Sequence, residues 1–459
     1  MKNRWLIALS AVGVHVSIGS VYAFSVIKKP LGELLEHASN NEIAWTFSFA
    51  IFFLGISAAI MGHFVEQRGP RVAGRIAAVF FGGGLVVAGI GASLENLYVV
   101  WLGYGVLGGI GLGIGYITPV STLLSWFPDR RGFASGLAIM GFGFGAFFGG
   151  PLFQNLMTHF GMNAYGISDL SQAAQVPAIV ERLGDIADAT IRDQHVAALV
   201  AAKGIATNWF IMGAVYFAVM FASASYLEKP PEGWLPEGMK NDVATGKTVA
   251  TKPLFDLTAR QAVKTGPFWA LWTMMFLNIS CGIAVIYSAS PLAQETIGLT
   301  AAEASAVVGL MSLFNGLGRI GWASLSDYIG RASTFTAFFV VQILAFYLLP
   351  NLTNVLLFQI ALFSILSCYG GGFSTAPAFI GDMFGTRQLG QILGYVLTAW
   401  AAAGLAGPQV AAYVRSLTGN YETTLHIFAG VFLVALVVSL VMKIMLTRAK
   451  RFEPQGALN

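Results

Sequence analysis

Charge is what this chain has least of. Only 10% of its 459 residues are Asp, Glu, Lys or Arg, against roughly 25% in soluble domains. That shortage, with 56% hydrophobic residues and a mean hydropathy of +0.69, excludes an ordinary soluble enzyme and places the chain in a membrane. Cysteine is nearly absent: Cys281 and Cys368 both fall in apolar runs, where packing thiols are expected and a disulfide is not. No metal-ligand spacing, Walker sequence or nucleophile–base pairing is present, so no cofactor is expected and neither an ATP-driven pump nor an enzyme fits. A formal G-x-G-x-x-G, "GYGVLG", lies inside an apolar run with no preceding strand, which argues against a dinucleotide site. Acids are missing where they matter most: all 22 Asp and Glu fall in loops or near the ends of apolar runs.

Apolar runs of about 20 residues, the length that crosses ~30 Å of hydrocarbon, recur along the chain. Twelve are expected, at about 5–27, 43–63, 73–93, 97–121, 132–157, 207–227, 266–290, 301–323, 333–350, 353–378, 388–413 and 424–446. The 54 glycines sit inside continuous apolar runs, which suits close-packed helices and not alternating β-strands. The expected fold class is therefore an all-α membrane protein. With both termini in the cytoplasm, 19 of the 26 Lys and Arg fall on the inner side, the bias the positive-inside rule demands. The basic pI follows from that bias, so nucleic acid is not an expected partner; membrane lipid is, around a monomer.

Two long polar segments divide the chain. Residues 228–265, rich in Pro, Gly and charge, form an inner linker between an N-terminal six-helix half (1–227) and a C-terminal one (266–459). Residues 158–206, with apolar residues at helical spacing, are expected to form an outer helical insertion. The halves echo each other: Gly62, Glu66 and Gly69 of "GHFVEQRGPR" are matched 261 positions later by Ala323, Asp327 and Gly330 of "ASLSDYIGR". Two parallel six-helix repeats suit a secondary transporter.

These loops resemble the G-x-x-x-D-x-x-G-R signature of the major facilitator superfamily, with Glu66 for the first acid, Pro70 before Arg71, and Ala323 for the second leading glycine. Within it, "GSVYAFSVI", "WFPDRRGFASGLA", "NGLGRIGWASLSDYIGR" and "YGGGFSTAPAFIGDMFG" resemble the oxalate/formate antiporter family, related to monocarboxylate carriers. The resemblance covers essentially all but the insertion. It implies alternating access at a cytoplasmic (cell inner) membrane, by symport or antiport.

Arg319 stands in the eighth apolar run, where a charge is costly and no membrane acid can pair with it. It lies only eight residues before Asp327, about 12 Å along a helix, so snorkelling toward the inner face is the competing reading. The resemblance favours a substrate clamp, since the family's arginine at this position binds a carboxylate in the central cavity. A guanidinium suits that capture. Asn315, one turn earlier, shares its face; related animal carriers have an acid there. Family position further implies Tyr22, Tyr116, Tyr369, Phe373, Trp400, Trp45 and Phe49 as cavity residues. His15, well inside the first span, is the proton-coupling candidate. Glu66, Arg68, Asp129, Arg130, Asp327 and Arg331 sit where the superfamily has its cytoplasmic gate. Where the family's oxalate exchanger has a lysine in helix 11, this chain has Trp400. One buried cation suits one negative charge, so a monocarboxylate of the lactate, pyruvate or formate type, with H+ as a possible co-substrate, is expected over a dicarboxylate such as oxalate. A drug or cation exporter fits less well.

Overall fold

The computed structural model describes residues 2–184, 189–244, 253–299 and 301–452. Eleven helices among these are long and apolar enough to cross a membrane, and Ala301–Ile329, which carries Asn315 and Arg319, supplies a twelfth. In chain order they are α1 Arg4–Leu34, α2 Asn41–Arg68, α3 Pro70–Ser93, α4 Leu97–Trp126, α5 Arg131–Tyr165 and α6 Ala189–Tyr226. The second half has α7 Gly266–Ile297, α8 Ala301–Ile329, α9 Arg331–Asn351, α10 Val355–Phe384, α11 Leu389–Thr418 and α12 Glu422–Phe452.

The halves meet along α2 against α11 and α5 against α8, with α10 on α5 and α11 on α4. Glycine makes these approaches possible. A Cβ on Gly143 of α5 would stand 2.6 Å from the Cα of Gly316 on α8, and one on Gly55 of α2 2.7 Å from Ala401 of α11. The repeated loops are built alike. Gly69 and Gly330 turn the chain at φ 77° and 83°, a region side-chain-bearing residues avoid. Pro70, the departure in the first copy, is the first residue of α3, where a missing N–H costs nothing.

The helices outrun the expected spans most at 158–206. At 1.5 Å per residue, the 35 residues of α5 and the 38 of α6 extend about 52 and 57 Å, well beyond ~30 Å of hydrocarbon. Beyond the membrane they continue as a pair, joined through the short helix Pro177–Leu183. Ala173, Ile179, Leu183, Val196, Leu199 and Val200 form a small core of their own there. Arg182 ties this arm to the end of α1 through the Glu33 carbonyl at 2.8 Å and carboxylate at 3.3 Å. Hydropathy drops along the arm because only the face turned into this core is apolar. In the linker, Leu254 and Phe255 donate N–H bonds to the carbonyls of Asp382 and Met383, so the chain lies against the end of α10; 245–252 fall outside the described residues.

Candidate functional site

Helix α1 tightens into a 3-10 turn at Ser20–Ala23, which swings Tyr22 toward the interface between halves. Tyr22 Oη lies 3.2 Å from Tyr369 Oη of α10, one hydroxyl from each half. Trp400 of α11 packs on Phe373 of α10 at 4.4 Å between ring centroids, and on Tyr116 and Phe142 at 5.6 Å each. Phe142 of α5 also meets Tyr22 and Tyr116 edge-on. Five of the aromatic positions expected from the sequence thus form one cage.

Arg319 projects into it. Its side chain is 0% exposed, and its guanidinium carbon lies 5.3 Å from the ring centroids of both Phe142 and Phe373, a cation–π arrangement from two sides. Asn315 Oδ1 accepts from Nε at 3.1 Å and the Ile139 carbonyl from Nη1 at 3.3 Å, while Nη2 has no partner. No ion pair to Arg319 is formed among the described residues. Its own carbonyl accepts from Ser374 Oγ at 2.6 Å, which pins α8 to α10 at this level. The snorkelling alternative would turn the side chain toward Asp327, but the guanidinium lies among rings at the centre. Asp327 is engaged elsewhere.

Three other buried polar atoms around the cage lack partners: Tyr116 Oη, Trp400 Nε1 and His15 Nε2. His15 packs edge-on to Tyr116 at 5.3 Å. Its Nδ1 lies 3.2 Å from the Ala11 carbonyl, which accepts from it when the ring proton is on Nδ1. Buried donors and acceptors are ordinarily satisfied, and these three unpartnered ones are gathered around one cation.

Trp45 and Phe49 are not brought into this cage. They pack on each other at 5.4 Å, and Phe49 meets Trp101 of α4, with Trp45 37% exposed. Phe142 was not singled out from sequence. Its signal, an aromatic between glycines in "GFGFG", read as packing because glycine dominates that run.

At the basic face the halves are latched. Asp327 at the end of α8 accepts from the backbone N–H of Gly132 at 2.9 Å and Phe133 at 3.0 Å, the first turn of α5. Glu66 at the end of α2 accepts from Gly390 N–H, in the first turn of α11, at 2.9 Å and pairs with Lys229 at 3.3 Å. Each repeated acid thus reaches a helix N-terminus of the opposite half, where the peptide dipoles favour negative charge. Arg331 pairs with Asp327 at 2.6 Å and Asp382 at 2.9 Å, and Arg131 with Asp382 at 2.9 Å. Asp129 instead holds Arg4 at 3.2 Å. Arg68 and Arg130 are exposed and form no ion pair among the described residues. Arg131 and Asp382, which close the latch, were missed as gate residues.

Comparison with known proteins agrees with this architecture. The profile of the Major Facilitator Superfamily matches residues 7–170 and 279–457. The apicoplast pyruvate carrier 1 of Toxoplasma gondii is 25% identical over 468 aligned positions, 88% of this chain and 83% of the relative. The oxalate:formate antiporter of Oxalobacter formigenes is 24% identical over 429, covering 91% and 87%. Among solved structures, the human organic anion transporter MFSD10 superposes with a TM-score of 0.66 at 14% identity, over 96% of this chain and 100% of that one. Twelve helices in two latched halves and a profile matched across both make the chain a member of the Major Facilitator Superfamily.

Proposed function

We propose that this transporter carries small organic monocarboxylates of the lactate, pyruvate or formate type, by alternating access about the Arg319 cage. One observation carries the reading: a fully buried guanidinium keeps one nitrogen unpaired and has no carboxylate partner among the described residues. The carboxylate of the cargo completes it. Tyr116 Oη and Trp400 Nε1 then donate to a second oxygen of the cargo, and Phe142, Phe373 and Trp400 cover its apolar part. The names of the pyruvate carrier and the oxalate:formate antiporter support an organic-acid cargo.

Trp400 also supports a singly charged cargo. A dicarboxylate would need a second cation in the cage, whose described lining around Arg319 is aromatic, with Trp400 tilted against Phe373. Oxalate-type exchange is therefore the weaker reading, and a cation or drug exporter weaker still. Coupling to a proton is assigned to His15, whose Nε2 is buried without a hydrogen-bond partner and whose ring packs on Tyr116. The latched face is taken as cytoplasmic, which makes this the state closed to the cytoplasm.

Purified protein in liposomes, supplied with labelled pyruvate, lactate, formate or oxalate, tests the reading. Uptake of a monocarboxylate should be abolished by Arg319→Ala and by Arg319→Lys, which lacks the planar fork. Undiminished uptake by Arg319→Ala overturns it. His15→Asn should remove acceleration by an inward proton gradient while monocarboxylate exchange at equal pH continues.

A further inference from the structure

Asp382, near the end of α10, is gripped by two arginines from different helices. Arg131 Nη1 of α5 holds Oδ1 at 2.9 Å, and Arg331 Nε of α9 holds Oδ2 at 2.9 Å. One guanidinium on each oxygen is how a protein captures a free carboxylate; here the occupant is tethered to the chain. The arginine side chains are only 14% and 10% exposed. Arg131 Nε, buried, has no partner, so the grip has donor capacity left over. Between this point and the cage, Ser135 on α5 and Thr375 on α10 are fully buried and their hydroxyls also lack partners. Ser135 lies one helical turn from Arg131, and its neighbour Gly136 abuts the Arg319 carbonyl, where an added Cβ would stand 2.7 Å away. A run of unsatisfied polar groups therefore leads from Arg319 to the latch.

We propose that Arg131 is a second carboxylate-binding group, engaged by Asp382 beside Arg331 when the face is closed and by the carboxylate of the cargo as the halves part. The idea rests on the reading of the cargo as a carboxylate, but uses other residues. Separating the halves takes Asp382 on α10, and Arg331 on α9 with it, away from Arg131 on α5, whose guanidinium then loses its carboxylate partner. A cargo carboxylate arriving from the cage replaces the lost partner. Cargo then lowers the barrier to opening, so a loaded carrier opens this face more readily than an empty one.

The test removes both the tethered carboxylate and the central cation. In the double variant Arg319→Ala, Asp382→Ala, the deleted carboxyl leaves a space the size of formate between the two arginines. The melting temperature of the purified protein should rise with sodium formate and saturate, sodium chloride at matched ionic strength should not reproduce the rise, and adding Arg131→Gln should eliminate it. A flat response, or one that chloride matches, overturns the site. Because Arg319 is gone, this result is separate from whether Arg319 binds cargo. A second measurement keeps Asp382: in Arg319→Ala, Ser326→Cys, the new thiol stands where Ser326 Oγ now touches Arg331. Formate should raise its maleimide labelling rate several-fold over chloride; both native cysteines are buried. An unchanged rate also overturns the proposal.

Discussion

Gly370 shows how closely the cage is set at the scale of single residues. A Cβ there would stand 2.3 Å from the Asn315 carbonyl oxygen, 2.5 Å from Asn315 Oδ1 and 3.1 Å from Arg319 Cγ. Gly370→Ala should therefore force α8 and α10 apart at this level, shift Asn315 off the guanidinium and weaken cargo binding by about tenfold or more, at least the ~1.4 kcal/mol of one good hydrogen bond to a charged group. Titration of pyruvate or formate by thermal shift reads this, and unchanged affinity would mean the Asn315 contact does not orient Arg319. Arg319 itself was legible in the sequence because a charge without a membrane acid needs no structure to be noticed. Tyr22, Tyr116, Tyr369, Phe373 and Trp400 came from family position, and the fold gathers them. Trp45 and Phe49 were inferred in the same way, yet they belong to a separate aromatic cluster on α2 and α4. Spacing within one helix gives a shared face but not which neighbour that face meets.

At the scale of elements, the repeated acids act on helix ends. Asp327 accepts both N–H groups of the α5 first turn that point across the interface. Asp327→Ala should loosen this contact by ~0.5–2 kcal/mol, the range for losing an N-terminal cap. Hydrogen exchange at the Gly132 and Phe133 amides should then quicken by about tenfold, while exchange in α4 stays the same. Equal exchange in both proteins would show that the latch stands without this carboxylate. The repeat was visible in the spacing of Glu66 and Asp327, but their targets were not. Gly132 and Gly390 contribute backbone, which carries no side-chain signature, and an added Cβ on Gly390 would lie 2.9 Å from Glu66 Oε1. Arg131 could not be told from Arg130 by pattern. The structure separates them by the helix start, which leaves Arg130 outside α5 and turns Arg131 toward α10.

For the whole molecule, the twelve spans and the two halves were readable because hydrocarbon thickness imposes a length and leaves polar breaks between helices. The ends of α5 and α6 were not, since outside the membrane a helix needs only one apolar face. The N-terminal segment, the start of α3 and the linker are also tied together at the basic face: Glu228 holds Lys2 at 3.0 Å and Arg71 at 2.7 Å. The hydrogen bond from Lys2, and then both cations, keep the Glu228 carboxyl below its ordinary range. A folded value below the unfolded one adds stability in full above the ordinary carboxylate range, and loses it as pH falls through the lowered value. The melting temperature of Glu228→Gln should accordingly trail the parent by a small margin at neutral pH, as befits an exposed pair, and the two should converge in acid. A gap that widens in acid would contradict this. The arm built from α5 and α6 has a practical use as well. A 48.8 kDa transporter offers few features by which single particles can be aligned in an electron micrograph. A helical hairpin with its own small core, anchored to α1 through Arg182, gives a binder raised against it a firm seat on one half. Images aligned on that half would show directly whether the other moves against it.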